Sequence, residues 1–530
     1  MISLHPKKEQ FDIIIISGEY YDDHPLSPAG IIARVLDAKG YSVGVIEKPK
    51  TKEDFTKLGQ PKLFFGVTSG TVDSMLYNYS PLKRRRMDDP HLFITEIPER
   101  AVTFYCNKLR EYFKGCTMVI GGVEASLRRF AHYDYWDNKI RKSILMDSRA
   151  NILVYGSGEK QVIEIAQRLK EGKDLRGVEG TCILSKELDQ DKKIELLPSF
   201  KEVKEEDPKS KSKFCEMQVK FSNTKNLAQE YDNNYIIQYK FPNYTSEDLD
   251  WIYSLPYTRK LHPESLLGMA KFSVVTHRGC IGRCNFCSIT LHQGDKIVSR
   301  SEKNILQEIE RLTKHPEFQG NIDDLGGPSA NMYGMDCATK CGRNCISCGK
   351  LNRTHARIID LMKRAREIKG IKKIFIRSGI RYDLALESKE YIKEVSEHHI
   401  SGCLKIAPEH FSPKVLDLMG KKNDRFEEFY GYFMELNKSK GQDLRYYFMI
   451  GHPGDDEKEV ALLVKKLQKL QNIEQFQLFT PTPMTDSTCM YWTGMNPYTL
   501  EKVKVVYDFI GKKRMRDQML ELVKEKEDYN

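Results

Sequence analysis

Two successive series of short apolar runs, separated by helical patterns, limit what this 530-residue chain can fold into. In the first, residues 11–17, 41–46, 63–68, 117–120 and 152–155 read as buried strands, with a helix over 31–39 closed by Gly40. Several runs close on small residues: Ser69-Gly70, Gly121-Gly122 and Gly156-Ser157-Gly158. This alternation predicts an α/β fold, a doubly wound (Rossmann-like) parallel sheet whose ligands sit beyond the carboxyl ends of the strands. The chain is too long for one core, so a second domain is expected. The N-terminal domain is assigned to 1–255, with the charged stretch 201–213 opening a mobile excursion or linker that runs to about residue 230.

The second series begins at residue 272. Strands are predicted over 272–276, 321–325, 373–377, 403–407, 445–450 and 475–479, with helices over 302–312, 355–368, 388–396, 426–437 and 457–470. Six such strands suit a partial (β/α)6 barrel of TIM type over 256–490, with its chemistry at the C-terminal strand ends. Those ends carry glycines and ionisable groups. The second closes on Leu325-Gly326-Gly327-Pro328-Ser329-Ala330-Asn331, the third on Arg377-Ser378-Gly379-Ile380-Arg381-Tyr382-Asp383. The fourth gives Lys405-Ile406-Ala407-Pro408-Glu409-His410, the fifth Gly451-His452-Pro453-Gly454-Asp455-Asp456, and the sixth Thr480-Pro481-Thr482-Pro483-Met484-Thr485. A tail over 491–530, with apolar residues at helical spacing among Lys and Glu, is expected to form a helix.

The first strand end carries the sharpest chemistry. Cys280-Ile281-Gly282-Arg283-Cys284-Asn285-Phe286-Cys287 places three thiols within eight residues. Such a loop can wrap three corners of a cubane iron–sulfur cluster and leave the fourth iron open to bind and activate a ligand. Structural zinc takes four ligands, and this loop supplies only three. A disulfide would leave one thiol unpaired. Gly279 and Gly282 let the backbone turn around a bulky group.

A C-x3-C-x-aromatic-C loop directly after a strand, with Phe286 as the aromatic, resembles the signature of radical S-adenosylmethionine (SAM) enzymes. The resemblance implies a [4Fe-4S] cluster on Cys280, Cys284 and Cys287, its open iron chelated by the amino and carboxylate groups of SAM. It implies further that an electron from the reduced cluster cleaves the sulfonium C–S bond, giving a 5′-deoxyadenosyl radical that abstracts hydrogen. The Gly326-Gly327 segment resembles the superfamily's glycine-rich motif near the methionyl end of SAM, with Pro328 where an acidic residue is usual. On this resemblance Phe286, Gly326 and Gly327 help place SAM, while Ser378, Arg381, Lys405 and Glu409 are candidates for SAM or substrate contacts. No residue is assigned to the catalytic step itself. The 451–455 element resembles the fifth-strand segment of methylthiotransferase and elongator-type barrels. An external one-electron donor such as flavodoxin or ferredoxin is implied as partner.

Cys337-x3-Cys341-x3-Cys345-x2-Cys348 forms a second group, a cysteine-rich insertion over 337–348. Its last three thiols repeat the spacing of the first loop, but Ser347 replaces the aromatic residue and no strand leads in. Four thiolates can close around an auxiliary iron–sulfur cluster or a zinc ion, and the spacing leaves both open beside a loop without metal. Cys106, Cys116, Cys182, Cys215, Cys403 and Cys489 read as ordinary buried thiols. A Rossmann-like domain ahead of such a barrel resembles cobalamin-dependent members, which carry Asp-x-His-x-x-Gly with a cobalt-ligating His. Asp22-Asp23-His24-Pro25-Leu26-Ser27 comes close, but Ser replaces Gly and Pro25 restricts the loop, so the reading is against cobalamin.

Taken end to end, the sequence resembles the YgiQ-type group of radical SAM proteins. The segments that carry this are 121–136, Pro328-Ser329-Ala330-Asn331-Met332-Tyr333-Gly334, Ser378-Gly379-Ile380-Arg381-Tyr382-Asp383 and Ala407-Pro408-Glu409-His410. The resemblance supplies a fold and cofactors but no substrate. Within 121–136, Glu124, Arg128, Arg129, His132, Tyr133 and Asp134 read either as substrate contacts or as a polar interface with paired charges. The sequence therefore points to an enzyme that cleaves SAM reductively. Two alternatives stand beside it: an RNA-modifying methylthiotransferase-like enzyme, and a non-catalytic iron–sulfur carrier or electron-transfer protein. A net charge of +10 is modest at this length, with both signs interleaved. The sharpest basic patch, Lys83-Arg84-Arg85-Arg86 beside Tyr77 and Tyr79, is an RNA-facing surface, a phosphate pocket or a loop neutralised by Asp88 and Asp89. Residues 1–9 show no signal-peptide core and no apolar run is long enough to cross a membrane, so a cytoplasmic, reducing location is expected.

Overall fold

The computed structural model describes residues 2–3, 10–88, 96–337, 339, 345–422, 425–470 and 473–527. The chain forms two compact units. One comprises Met1–Asn243, Leu255–Leu266 and Thr480–Lys502; the other comprises Tyr244–Ser254, Leu267–Phe479 and Val503–Asn530. The division is thus interleaved, not a single cut near 255 followed by a separate tail. The helix Asp486–Thr493 falls in the first unit and the helix Phe509–Glu527 in the second.

In the first unit Ile13–Ser17 is buried throughout, as a strand covered on both faces must be. It pairs in parallel with Val43–Glu47 on one side and Phe64–Thr68 on the other. Met118–Ile120 and Ile152–Val154 extend the parallel array. The spatial order second, first, third, fourth, fifth is doubly wound, and its switch point lies between the first and third strands. The sheet then continues through the antiparallel strands Thr181–Ser185, Asn234–Gln238 and Leu227–Tyr231, which the apolar runs had not indicated.

The stretch 201–230 is ordered structure and not an excursion. Ser199 and Glu202 form a reciprocal capping box at Phe200–Val203. Asp207 then caps the helix Pro208–Lys220, which has proline at its first position and buries Phe214, Cys215 and Met217. Caps and a narrow apolar stripe outweigh the local charge density that suggested a linker.

In the second unit Val274–Val275 pairs in parallel with Leu325–Gly326, and Asn321–Ile322 with Lys373–Ile374. A parallel bridge joins Ile380 to Ile406. Cys403–Glu409, Asp443–Ile450 and Ile473–Leu478 follow as parallel neighbours. The helices Glu302–Leu312, Ala356–Glu367, Lys389–Glu394, Phe426–Asn437 and Glu457–Leu467 come between them, completing a partial (β/α)6 barrel. Among the described residues no helix is long and apolar enough to cross a membrane.

Candidate active site

The thiol loop leaves the first barrel strand through His277–Arg278, which pairs with Val298–Ser299. Gly279 opens the loop with φ +85, and any side chain there would strike the backbone of Lys296. Gly282 serves differently. Its φ is not left-handed; instead a Cβ would lie 2.8 Å from Nη1 of Arg381 and 3.4 Å from Sγ of Cys280, so glycine leaves room for that guanidinium.

The loop is fixed on both flanks. The Cys280 N–H donates to the Gly294 carbonyl at 3.1 Å, and Arg283 pairs with Asp295. On the other side the Asn285 N–H donates to the Met419 carbonyl at 2.8 Å, and its side-chain Nδ2 to the Leu418 carbonyl at 2.9 Å. Between them the Cys287 N–H bonds the Cys284 carbonyl at 3.0 Å, a tight turn. Phe286 packs on Val415, Leu416 and Met419, and its ring meets His452 edge-on with centroids 6.4 Å apart. All three cysteines are partly exposed and none is in a disulfide.

Arg381, at the end of the third strand, faces the loop. Its Nη1 donates to Sγ of Cys284 at 3.7 Å, while Nε and Nη2 hold Asp383 at 3.0 and 2.6 Å. Burial disfavours the Arg381 charge, but Asp383 outweighs it and keeps the guanidinium ionised. Asn331 locks the Arg381 backbone from both sides, accepting from its N–H and donating to its carbonyl, each at 2.9 Å. Asp324 accepts from the N–H groups of Arg377 and Ser378. Asp324 and Asn331, on either side of the Gly326-Gly327 pair, thus position the third strand end, a role the motif did not announce.

Gly326 lies against the Ser378 hydroxyl, and a Cβ on Gly327 would meet the His277 ring at 2.6 Å, so this strand end presents bare backbone. Glu409 holds left-handed backbone at φ +66 and pairs with Lys421 at 2.9 Å. Burial raises the Cys280 thiol, with Arg381 and Lys421 pulling it back down. Burial likewise pushes Cys287 up to about 12, with Cys284, Cys280 and Glu409 adding to the shift. Lys405 donates to the Tyr447 hydroxyl at 3.3 Å. Asp383, Asn331 and Lys421 were not singled out from the sequence. The first two lie inside quoted motifs, whereas Lys421 carries no local signal.

The donor set fits an anionic iron–sulfur cluster. Three thiols share one clamped loop, and two cations stand where thiolate charge would develop. Among the described residues no group of three or more His, Cys, Asp or Glu side chains is arranged to hold a single metal ion. Of the second cysteine group, Cys341 lies outside the described residues. Cys337, Cys345 and Cys348 pack on the apolar cluster of Ile281, Met332 and Leu351 that Cys280 also touches. The Cys348 N–H bonds the Cys345 carbonyl at 3.1 Å, the same turn as in the first loop.

The N-terminal motif residues are engaged inside their own unit. Asp23 pairs with Arg34 and accepts from the Thr258 N–H and hydroxyl at 3.0 and 2.7 Å. Nδ1 of His24 accepts from the Leu26 N–H, and Nε2 lies 3.2 Å from the Arg259 guanidinium. Asp22 accepts from the His262 N–H and the Ser265 hydroxyl. Glu124 accepts from the N–H groups of Ser74 and Val102, and Arg128 pairs with Asp73, so these belong to an internal polar network. Arg129 stacks on Tyr155 and Phe221. In the basic patch Arg85 pairs with Glu99 at 2.8 Å, and Lys83 donates to the Trp136 carbonyl.

Comparison with known proteins identifies the family. Residues 4–274 match the family described as Radical SAM N-terminal, and residues 274–467 match the Radical SAM superfamily. A UPF0313 protein of Methanocella arvoryzae is 42% identical over 94% of this chain and 88% of that one. UPF0313 protein FN0734 of Fusobacterium nucleatum is 41% identical over 97% and 96%. Among solved structures, the radical SAM methyltransferase TsrM from Kitasatospora setae, with cobalamin and a [4Fe-4S] cluster bound, superposes with a TM-score of 0.53. It is 14% identical, and the match covers 90% of this chain and 78% of that one. The cobalamin-dependent radical SAM enzyme OxsB gives a TM-score of 0.51 at 12% identity, over 98% and 62%. At such identities the likeness concerns the fold.

Proposed function

The chain belongs to the UPF0313 family of radical SAM proteins, and from that premise we propose that Cys280, Cys284 and Cys287 hold a [4Fe-4S] cluster at the C-terminal strand ends of the barrel, where SAM is cleaved reductively. Bound there, the cluster and SAM supply the electron and the radical that takes hydrogen from a substrate. The observation that carries this reading is the thiol loop itself, clamped at Gly294 and at Leu418–Met419 backbone carbonyls with Arg381 against Cys284.

The chain's own residues then orient and shield. Phe286, held by Val415 and Met419, closes one side of the loop. The bare backbone at Gly326 and Gly327, beside the Ser378 hydroxyl, would help hold the methionyl end of SAM. Glu409 and Lys405 are the polar groups offered to SAM or substrate at the fourth strand, Glu409 in a left-handed backbone that its surroundings must hold. Cys337, Cys345 and Cys348 form the start of a second, auxiliary metal site, supported by their packing on the cluster that Cys280 touches. The proposal gives His24 no cobalt-ligating role, because both its ring nitrogens are engaged and Asp23 is held by Arg34 and Thr258. Reduction comes from an external one-electron donor of the flavodoxin or ferredoxin class.

Electron paramagnetic resonance of the anaerobically reconstituted, reduced protein tests the open iron. Adding SAM should change the cluster spectrum, and Cys284→Ala should lose the signal. A cluster spectrum indifferent to SAM would mean the site has no open iron.

A further inference from the structure

We infer that Arg381 sets the reduction potential of the cluster on Cys280, Cys284 and Cys287 through its hydrogen bond to the Cys284 sulfur, with Asp383 as the opposing charge. The inference rests on the cluster reading above and adds to it a role for Arg381 and Asp383.

Three features of the geometry single out this guanidinium. Its Nε and Nη2 are taken by Asp383, so Nη1 is the arm directed at the loop, 3.7 Å from Sγ of Cys284. Its backbone is held at both N–H and carbonyl by Asn331, so the arm is aimed and not merely nearby. Opposite it stands Gly282, where a Cβ would come within 2.8 Å of Nη1. The loop has no side chain at the one point where it would push the arginine away.

The electrostatic consequence has a definite sign. Taking up one electron adds negative charge to a centre already anionic through its thiolates. An N–H donor and a cation at sulfur stabilise the reduced form and raise the potential; an anion does the reverse. Arg381 and Asp383 therefore pull in opposite directions. Lys421 lies on the same side, but its charge is matched by Glu409 at 2.9 Å.

The test is a redox titration followed by electron paramagnetic resonance on the reconstituted full-length protein, without SAM. Arg381→Gln should move the potential negative and Asp383→Asn should move it positive. Arg381→Lys should lie between Arg381→Gln and the unmodified protein, since it keeps the charge and loses the fork. The double variant Arg381→Gln/Asp383→Asn should return towards the unmodified value. Breaking a buried ion pair can also destabilise the fold. If Arg381→Gln does not retain a cluster, the positive shift of Asp383→Asn carries the test. Shifts of the same sign in both single variants, or no shift, would overturn the inference. Failure of the unmodified protein to assemble any [4Fe-4S] cluster would instead overturn the reading beneath it.

Discussion

Replacing Gly279 by Ala puts the greatest stress on the thiol loop. The residue sits at φ +85, where a side chain costs about 1–2 kcal/mol. Its methyl would also fall on the Lys296 carbonyl, whose carbon is 2.8 Å from the Cβ position. That obstacle is backbone, so no rotamer change relieves it. The loop must lift from 294–296 and surrender the Cys280 N–H bond to Gly294, a further loss of about 1 kcal/mol. The protein without its cluster can relax in this way, whereas cluster binding requires the loop seated. The strain therefore appears as weaker retention, about 3 kcal/mol or a hundredfold in affinity. Two controls grade the effect. Gly420→Ala, at φ +63, first meets the Asn285 side chain at 3.1 Å, which can shift at the expense of its bond to the Leu418 carbonyl. Gly40→Ala, at φ +82 with nothing within 4 Å, suffers the backbone cost alone and lies in the other unit. Iron and acid-labile sulfide per chain, measured after reconstitution and a timed chelator challenge, should fall steeply for Gly279→Ala, slightly for Gly420→Ala and not at all for Gly40→Ala. A Gly279→Ala protein that holds iron like the unmodified one would refute the reasoning.

Three further outcomes are expected. Asn331→Ala removes both bonds that lock the Arg381 backbone and should lower stability by about 2 kcal/mol, read as an earlier urea midpoint. Asp207→Ala leaves the Pro208–Lys220 helix uncapped and should cost about 1 kcal/mol in thermal unfolding; no change would restore the linker reading of that stretch. Burial, aided by Arg128, holds His132 near a pKa of about 4, below its ordinary 6.5, so the unfolded chain takes up the proton first on acidification. Its contribution is complete above pH 6.5 and is lost as pH falls towards 4, amounting to about 1 kcal/mol by pH 5.5. His132→Gln should flatten that part of the stability profile, and an unaltered slope would show that the ring titrates in the fold as it does in the unfolded chain.

Much of the fold was legible because burial writes itself into composition. The isoleucine run at 13–16 and the glycine closures of both series located parallel strands and their loaded ends. The helices Glu302–Leu312 and Phe426–Asn437 fall where the apolar spacing put them. Charge density misled at 201–230, where capping residues rather than hydrophobic content define the helix. The antiparallel strand Leu227–Tyr231 mixes Gln and Glu with apolar residues, so period alone could not mark it. At the site, local spacing identified the thiols, but not what surrounds them. Asn331 acts on Arg381 across 50 residues of sequence, and the Lys421 charge lowers the Cys280 thiol from beyond the fourth strand. Such contacts exist only once the barrel is closed.

The most direct test of the central claim is release of 5′-deoxyadenosine. Anaerobically reconstituted protein, given SAM and a strong one-electron reductant, should produce it, quantified by liquid chromatography and mass spectrometry. Cys284→Ala, keeping its fold by circular dichroism, should produce none. A protein that carries a full cluster yet releases no 5′-deoxyadenosine, or a Cys284→Ala variant that releases as much as the parent, would contradict the account.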